Sequence, residues 1–196
     1  MTAQASGRVL TVPNMISFTR LLGVPLFLYL FLVPHAYAAA VVVLVVGGTS
    51  DWVDGYLARR LRQVSRLGEL LDPAADRLYI LATLAAFTLG GVVPWWFAAA
   101  LLLREGMLLG SLLVVRRYGY GPPPVHYLGK TATFILLFGF PVLLLAKASA
   151  AAAPWAWPVG WALAWWGLAL YWAAGVLYVI QAVGLVRAAR QPAVAA

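Results

Sequence analysis

Four aspartates are the residues whose type and spacing best suit chemistry: Asp51, Asp54, Asp72 and Asp76. They are four of the six acidic residues in the chain. The first two are three positions apart and the last two are four apart, and on a helix either spacing places both side chains on one face. Four carboxylates close together repel one another unless a cation lies between them, and their hard oxygen atoms suit Mg²⁺, Mn²⁺ or Ca²⁺ rather than zinc. These two acid pairs therefore predict a divalent cation site.

Two helices joined by the basic turn at residues 60–66 would have to bring the acid pairs together. The ordinary alternative is that the acids pair with neighbouring arginines on a solvated helix–turn–helix. That alternative explains two acids better than four in so apolar a chain, because ionisable groups in or beside a membrane are costly to keep there and are functional as a rule.

The composition is that of a polytopic membrane protein. Of the 196 residues, 64% are hydrophobic and 10% are charged, whereas a soluble domain carries about 25% charged residues. The net charge of +8 is distributed between apolar segments rather than along a basic stripe. This pattern favours anionic lipid head groups and phosphates as partners and argues against nucleic acid. The chain has no cysteine, which excludes a disulfide framework and a zinc–thiolate site.

Six apolar segments approach the roughly 20 residues that a membrane span requires. They cover about residues 15–33, 37–59, 67–89, 93–115, 127–145 and 161–186. The predicted breaks are Pro34-His35, residues 60–66, Gly90-Gly91 with Pro94, residues 119–124 and residues 148–158. We expect an all-α membrane protein, a bundle of six transmembrane helices in a single domain over residues 1–196. No cleavable signal pattern precedes the first segment, which we expect to remain as an anchor.

Lysine and arginine set the expected orientation. They cluster at the N-terminus, after the second and fourth segments and at the C-terminus, whereas the opposite loops hold only Lys147. Positive residues favour the cytoplasmic side. We therefore expect both termini in the cytoplasm, the acid pairs at the cytoplasmic edge, and a bacterial plasma membrane as the location. Small residues such as Gly47 and Gly48 would let helices approach closely.

The acid pairs belong to a longer pattern, D-x2-D-G-x2-A-R-x8-G-x3-D-x3-D. Its members are Asp51, Asp54, Gly55, Ala58, Arg59, Gly68, Asp72 and Asp76. The pattern resembles the signature of the CDP-alcohol phosphotransferase family, with no position missing. Residues 13–20, PNMISFTR, also resemble the opening P-N-x-[IL]-[ST]-x-x-R of that family.

The resemblance implies a phosphatidyl transfer from CDP-diacylglycerol to an acceptor hydroxyl with release of CMP, on two Mg²⁺ or Mn²⁺ ions. It also implies a homodimer. Three aspartates would hold metal, and the fourth, Asp76, would be the general base and a further ligand. The substrate would contact Asn14, Ser17, Gly55, Arg59, Ser65 and Gly68.

Simpler roles for these substrate-binding residues remain open. Glycine at positions 55 and 68 permits close approach of either a ligand or a second helix. The planar fork of Arg59 could hold a phosphate, or the residue could be only a topology charge. Ser65 could be an ordinary turn serine, and Asn14 a helix cap.

The acceptor is expected near Arg104 and Glu105 in the fourth segment. Adjacent residues on a helix do not face each other, so we expect at least one to face the interior. Phosphatidylglycerophosphate synthases resemble the chain here, but they typically place another arginine two turns later, where this chain has Leu112. The cardiolipin-forming branch of the family is more similar. Its basic residues correspond to Arg116 and, with different spacing, to Lys130.

Phosphatidylglycerol is therefore the expected acceptor, with glycerol 3-phosphate as the close alternative and inositol phosphate third. A transporter with an acidic cation site is a second class, but transporters commonly have paired halves and broken helices, and no repeat is present. A purely structural membrane protein would leave the four acids without a role. Divalent-dependent release of CMP from a CDP-lipid would separate the enzyme from both.

Overall fold

The structure of the protein, a computed structural model, describes the backbone of residues 12–61, 66–120 and 127–190. It describes the side chains of residues 15, 18–50, 78–120 and 127–187. Over these ranges the backbone forms six helices and no strand, which confirms the all-α prediction. The helices are α1 (Val12–Leu32), α2 (Tyr37–Leu61), α3 (Arg66–Leu89), α4 (Trp95–Arg117), α5 (Tyr127–Ala148) and α6 (Ala153–Arg190).

Three of these helices are long and apolar enough to cross a membrane: Trp95–Arg117, Tyr127–Ala148 and Ala153–Arg187. The described parts of the first three helices contribute shorter apolar stretches, Phe18–Leu32, Tyr37–Ser50 and Leu78–Leu89. Length and composition thus identify a membrane protein.

Two of the helices end at glycines where the sequence predicted a break, and these glycines have positive φ angles. Gly91 follows α3 with φ +66°, and Gly119 follows α4 with φ +79°. Both values lie in the left-handed region, which glycine adopts without the steric cost of a Cβ. The chain can therefore leave each helix sharply at these two positions.

The predicted start of the last helix is wrong. A break was expected over residues 148–158, yet α6 begins at Ala153 and contains Pro158. The amide of Ala156 already donates to the Ala152 carbonyl at 2.8 Å. Proline near a helix start costs little, because first-turn amides have no partner within the helix, and one lost hydrogen bond at Pro158 does not end the helix. Pro154 and Pro158 therefore lie within α6 and not in a linker before it.

The chain divides into two compact units, and the first contains α1, α2, α3 and residues 143–156. Its core is aromatic. Phe27, Phe31 and Phe87 are each no more than 1% exposed. Their ring centroids lie 5.7 to 6.4 Å apart in tilted arrangements, which aromatic pairs favour over direct stacking.

Lys147 connects three segments at one end of this first unit through a hydrogen bond and a cation–π contact. Its ammonium group donates to the carbonyl of Gly90, just after α3, and lies 5.1 Å from the ring centroid of Tyr37 at the start of α2. A cation at this end satisfies a carbonyl that has no partner within the helix and is attracted to the aromatic face. The lysine expected to be a loop charge lies in the last turn of α5 and joins three chain segments.

The second unit contains α4, residues 127–142 of α5 and residues 157–190 of α6. Phe97 of α4 is fully buried, with its ring edge-on to Trp161 and Trp165 at centroid distances of 5.7 and 5.9 Å. Gly167 of α6 lies against Leu136 of α5, where an added Cβ would come within 2.7 Å of the leucine Cγ. A small residue at this position lets α5 and α6 approach closely.

Candidate active site

Both acid pairs lie on helices, as their spacing predicted. Asp51 and Asp54 are in the second half of α2, and Asp72 and Asp76 are in the first half of α3. The connection at residues 62–65 and the side chains of the four aspartates lie outside the described residues.

A described contact between α2 and α3 lies next to the acid pairs. Tyr79 of α3 is 8% exposed. Its hydroxyl lies 3.0 Å from the backbone oxygens of both Val43 and Leu44 of α2. The same ring packs directly against Gly47. Tyr79 follows Asp76 by three residues, so the tyrosine lies within one turn of Asp76 and two turns of Asp72.

This contact gives the register of the two helices. Both helices lead from it towards the connection at residues 62–65, so they run antiparallel. Gly47 precedes Asp54 by seven residues, and Tyr79 follows Asp72 by seven residues. At 1.5 Å per residue, both of those backbone positions lie about 10 Å beyond the contact. The two acid pairs therefore lie on the same side of this contact along α2 and α3.

Arg20 is a residue near this contact to which the sequence assigned no role. It lies on α1 and is only 4% exposed. It is close enough to Tyr79 for its positive charge to interact electrostatically with the tyrosine hydroxyl. A buried arginine in an apolar helix requires partners, so a role was detectable from its type and position alone. It ends the sequence word PNMISFTR, in which only Asn14 and Ser17 were singled out.

The remaining residues predicted for the nucleotide lie on the same three helices or outside the described residues. Asn14 is inside the first turn of α1, and Ser17 lies one turn further. The structure describes only the backbone of Asn14, Ser17, Gly55, Arg59 and Gly68, and Ser65 lies outside it. Their contacts with a substrate stay predictions.

A partly buried polar cluster is centred on Arg104 in the second unit. Arg104 is 7% exposed, and its Nε donates to the backbone oxygen of Tyr171 at 3.1 Å. Its Nη1 pairs with Glu105 Oε1 at 3.0 Å, and the Tyr171 hydroxyl donates to the same carboxylate oxygen. The guanidinium carbon lies 3.7 Å from the centroid of the Tyr171 ring. Carboxylate, carbonyl and ring face together compensate a charge that would otherwise be costly in an apolar helix.

The sequence anticipated only part of this cluster. Arg104 faces the interior of its unit, as expected, but Glu105 also bonds to it although the two are adjacent. Their long side chains meet beside Tyr171, which the sequence did not single out. Gly175, one turn after Tyr171, makes room, since an added Cβ would lie 3.3 Å from the Arg104 Cγ.

Lys130 and Arg116 differ in their distance from Arg104. Lys130 is exposed in the first turn of α5, and its neighbour Gly129 lies close to the arginine, since a Cβ there would be 3.9 Å from Arg104 Nη2. Arg116 is exposed at the end of α4, twelve residues and about 18 Å along the helix from Arg104. The structure thus brings the start of α5 to Arg104 and leaves Arg116 away from it.

Comparison with known proteins identifies the class. The sequence profile of the CDP-alcohol phosphatidyltransferase family matches residues 10–177. The chain belongs to this family and is an enzyme of phosphatidyl transfer in phospholipid biosynthesis, as its signature predicted.

Individual relatives differ in the acceptor that their names specify. The chain is 53% identical over 192 residues to the cardiolipin synthase (CMP-forming) of Streptomyces coelicolor, covering 95% of this chain and 89% of that protein. It is 30% identical over 148 residues to the CDP-diacylglycerol–glycerol-3-phosphate 3-phosphatidyltransferase of Bacillus subtilis, covering 68% and 76%. With the enzyme of that name from Pseudomonas fluorescens, it shares 43% identity over 108 residues, covering 54% and 53%.

Members of this family generally depend on a divalent metal ion. Among the side chains that the structure describes, no group of three or more His, Cys, Asp or Glu residues could hold one. The two acid pairs, whose side chains lie outside that part, fit such an ion by the chemistry of their donors. Four carboxylates on adjacent helices supply hard oxygen ligands and negative charge.

Proposed function

We propose that the protein transfers a phosphatidyl group from CDP-diacylglycerol to phosphatidylglycerol, which yields cardiolipin and CMP. The observation that carries this proposal is the 53% identity to the CMP-forming cardiolipin synthase over 95% of the chain. Leu112 agrees with it, because phosphatidylglycerophosphate synthases typically place an arginine at that position.

We propose that the acid pairs hold two Mg²⁺ or Mn²⁺ ions, with Asp51, Asp54, Asp72 and Asp76 as ligands. Support comes from the register of α2 and α3. Positions 47, 51 and 54 share a face of α2 by helical periodicity, and positions 72, 76 and 79 share a face of α3. Gly47 and Tyr79 touch, and each shares a helical face with one acid pair, which supports a common site for the four carboxylates. Bound ions would neutralise the pyrophosphate and make its phosphorus more electrophilic.

Other roles in the proposed reaction belong to individual side chains, which accept the proton of the hydroxyl or bind the nucleotide. Asp76 accepts the proton of the attacking hydroxyl. A bond forms between that oxygen and the phosphorus that bears diacylglycerol, while the bond from this phosphorus to the bridging oxygen breaks and CMP leaves. Arg59 holds a phosphate of the nucleotide with its planar fork. Asn14, Ser17 and Ser65 contact the nucleotide, and glycine at positions 55 and 68 allows close approach.

Arg104 is proposed to bind the phosphate of the acceptor. Two of its nitrogens are engaged by Tyr171 and Glu105, and the third, Nη2, lies towards Gly129 at the start of α5. The exposed Lys130 follows directly and adds positive charge there. A phosphodiester with one negative charge suits such a pair. Arg116 would contact the head group of the acceptor lipid at a position away from Arg104.

The proposed arrangement in the membrane has six spans, with the acid pairs at the cytoplasmic edge and both ends of this chain in the cytoplasm of a bacterium. The six helices, the basic residues near the acid pairs and the position of Lys147 support it. The family profile runs through both compact units, which supports one functional domain. The protein is further proposed to be a homodimer in the plasma membrane.

A second candidate acceptor is glycerol 3-phosphate, which the similarity to the Bacillus subtilis enzyme favours. The test is to incubate purified protein in nanodiscs with Mg²⁺, CDP-diacylglycerol and either acceptor, and to identify the product lipid. Cardiolipin from phosphatidylglycerol is expected. Turnover of glycerol 3-phosphate alone would overturn the acceptor and retain the phosphatidyl transfer.

A further inference from the structure

The contact between Tyr79 and α2 is unusually specific for a helix interface. The hydroxyl has one proton and lies 3.0 Å from two successive carbonyl oxygens, those of Val43 and Leu44. Each helical carbonyl has a second lone pair beyond the one used by the amide four residues later, and the hydroxyl bonds there. Removing the hydroxyl would leave the aromatic ring in place but break the polar link between the helices.

Gly47 is the other half of the contact. A Cβ at this position would lie 2.6 Å from the Cζ and 2.8 Å from the Cε2 of Tyr79, closer than carbon atoms can approach. Gly23 of α1 differs, because an added Cβ there would meet only Val43 Cγ1 at an ordinary 3.9 Å. A side chain at Gly47 would therefore displace the Tyr79 ring from its present position, whereas one at Gly23 would not disturb its neighbour.

The contact lies one helical turn from a member of each acid pair. Asp51 is four residues from Gly47, and Asp76 is three residues from Tyr79, on the same faces and in the same direction. Sliding one helix past the other by a single residue would move its acid pair by about 1.5 Å. Metal–ligand distances tolerate only about 0.2 Å. A small error in register is thus large on the scale of metal binding.

We propose that Tyr79 and Gly47 are positioning residues that fix the register of α2 against α3 and thereby hold the two acid pairs at metal-binding distance. This inference rests on the proposed metal role of the acid pairs. Without a bound cation, four carboxylates brought together by two helices would repel one another, which would favour separation of the helices. The hydrogen bonds of Tyr79 and the close packing at Gly47 oppose that separation.

Binding of Mn²⁺ to the purified full-length protein tests the inference without any catalytic readout. The protein is reconstituted in nanodiscs of zwitterionic lipid, and free Mn²⁺ is measured by electron paramagnetic resonance. We expect Tyr79→Phe to weaken Mn²⁺ binding about tenfold, as loss of a group that orients metal ligands typically does. Tyr29→Phe is the matched control, since Tyr29 is 57% exposed on α1, and it should bind as the wild type does.

Substitution of glycine on the other side of the contact tests the same inference independently. Gly47→Ala should weaken Mn²⁺ binding at least as much as Tyr79→Phe, whereas Gly23→Ala should not. Thermal unfolding without metal is measured for each variant, because a purely structural role would lower the melting temperature and leave the Mn²⁺ affinity of the folded protein unchanged. If Gly47→Ala does not fold, Tyr79→Phe alone decides.

The possible results separate this inference from the proposed function. Wild-type Mn²⁺ affinity in folded Tyr79→Phe would overturn the positioning role and leave the metal site intact. Mn²⁺ binding by the wild type that Asp54→Asn does not change would overturn the metal site, and the positioning role with it. Loss of affinity in Tyr79→Phe, with none in Tyr29→Phe, supports both.

Discussion

The guanidinium carbon of Arg104 lies 3.7 Å from the centroid of the Tyr171 ring, and its Nε donates to the backbone oxygen of the same residue. Tyr171 also donates its hydroxyl to Glu105, which pairs with Arg104. Ring, carbonyl and carboxylate thus fix the plane of the guanidinium group inside the second unit. A fixed plane is what bidentate recognition of a phosphate requires.

Arg104→Lys tests this role at the acceptor. Lysine keeps the charge but loses the planar fork and the stacking on Tyr171. We expect the KM for phosphatidylglycerol to rise about tenfold, which corresponds to roughly 1.4 kcal/mol, while the KM for CDP-diacylglycerol stays nearly constant. The matched control is Arg117→Lys, an exposed position in the last turn of α4. Equal effects at both positions would remove Arg104 from the acceptor site.

Substitution of the acid pairs tests the metal site and the base. Asp51→Asn, Asp54→Asn and Asp72→Asn should each abolish turnover in protein that still folds, because an amide is a weaker, uncharged ligand. Excess EDTA should do the same to the wild type. Glu69→Gln, an acid on α3 outside the signature, is the control and should remain active. Full activity in EDTA would contradict the metal requirement.

Asp76→Asn is expected to separate binding from chemistry within the same series. A positioned base typically contributes 10²–10⁴-fold, so this variant should bind CDP-diacylglycerol and transfer almost nothing. Near-native turnover would remove the base assignment.

Arg59 and Arg60 offer a comparison within α2. Arg59→Lys should weaken binding of the CDP-lipid, since the bidentate fork is lost while the charge remains. Arg60→Lys should have little effect. Binding is measured directly with fluorescent CDP-diacylglycerol. Small, equal effects would mean that Arg59 serves only as a topology charge.

Ser149→Cys tests the arrangement in the membrane. Ser149 lies just after α5 and close to Lys147, and the chain has no native cysteine. A membrane-impermeant maleimide should label this position from outside intact cells. Labelling from the cytoplasmic side alone would show that the number of spans is wrong.

Sequence alone predicted the helices better than their contacts. The bounds of α2 and α3 follow from hydropathy and from the breaks at Pro34-His35, the basic turn and Gly90-Gly91. The start of α6 was missed because proline was taken as a boundary. Spacing within one helix revealed the acid pairs. It could not reveal Tyr171 as the partner of Arg104, 67 residues away, or Tyr79 as the partner of Val43, 36 residues away. The sequence suggested Gly47 for close helix approach, but only the packing of two helices identifies what approaches it.

The most direct test of the central claim follows the origin of the two halves of the product. Purified protein is incubated with Mg²⁺, unlabelled CDP-diacylglycerol and deuterium-labelled phosphatidylglycerol, and the lipids are analysed by mass spectrometry. We predict cardiolipin in which one phosphatidyl group is unlabelled and the rest comes from labelled phosphatidylglycerol, with one CMP released for each molecule formed. Cardiolipin labelled in both halves would contradict the account. So would the absence of labelled cardiolipin from protein that releases CMP from CDP-diacylglycerol once glycerol 3-phosphate is added.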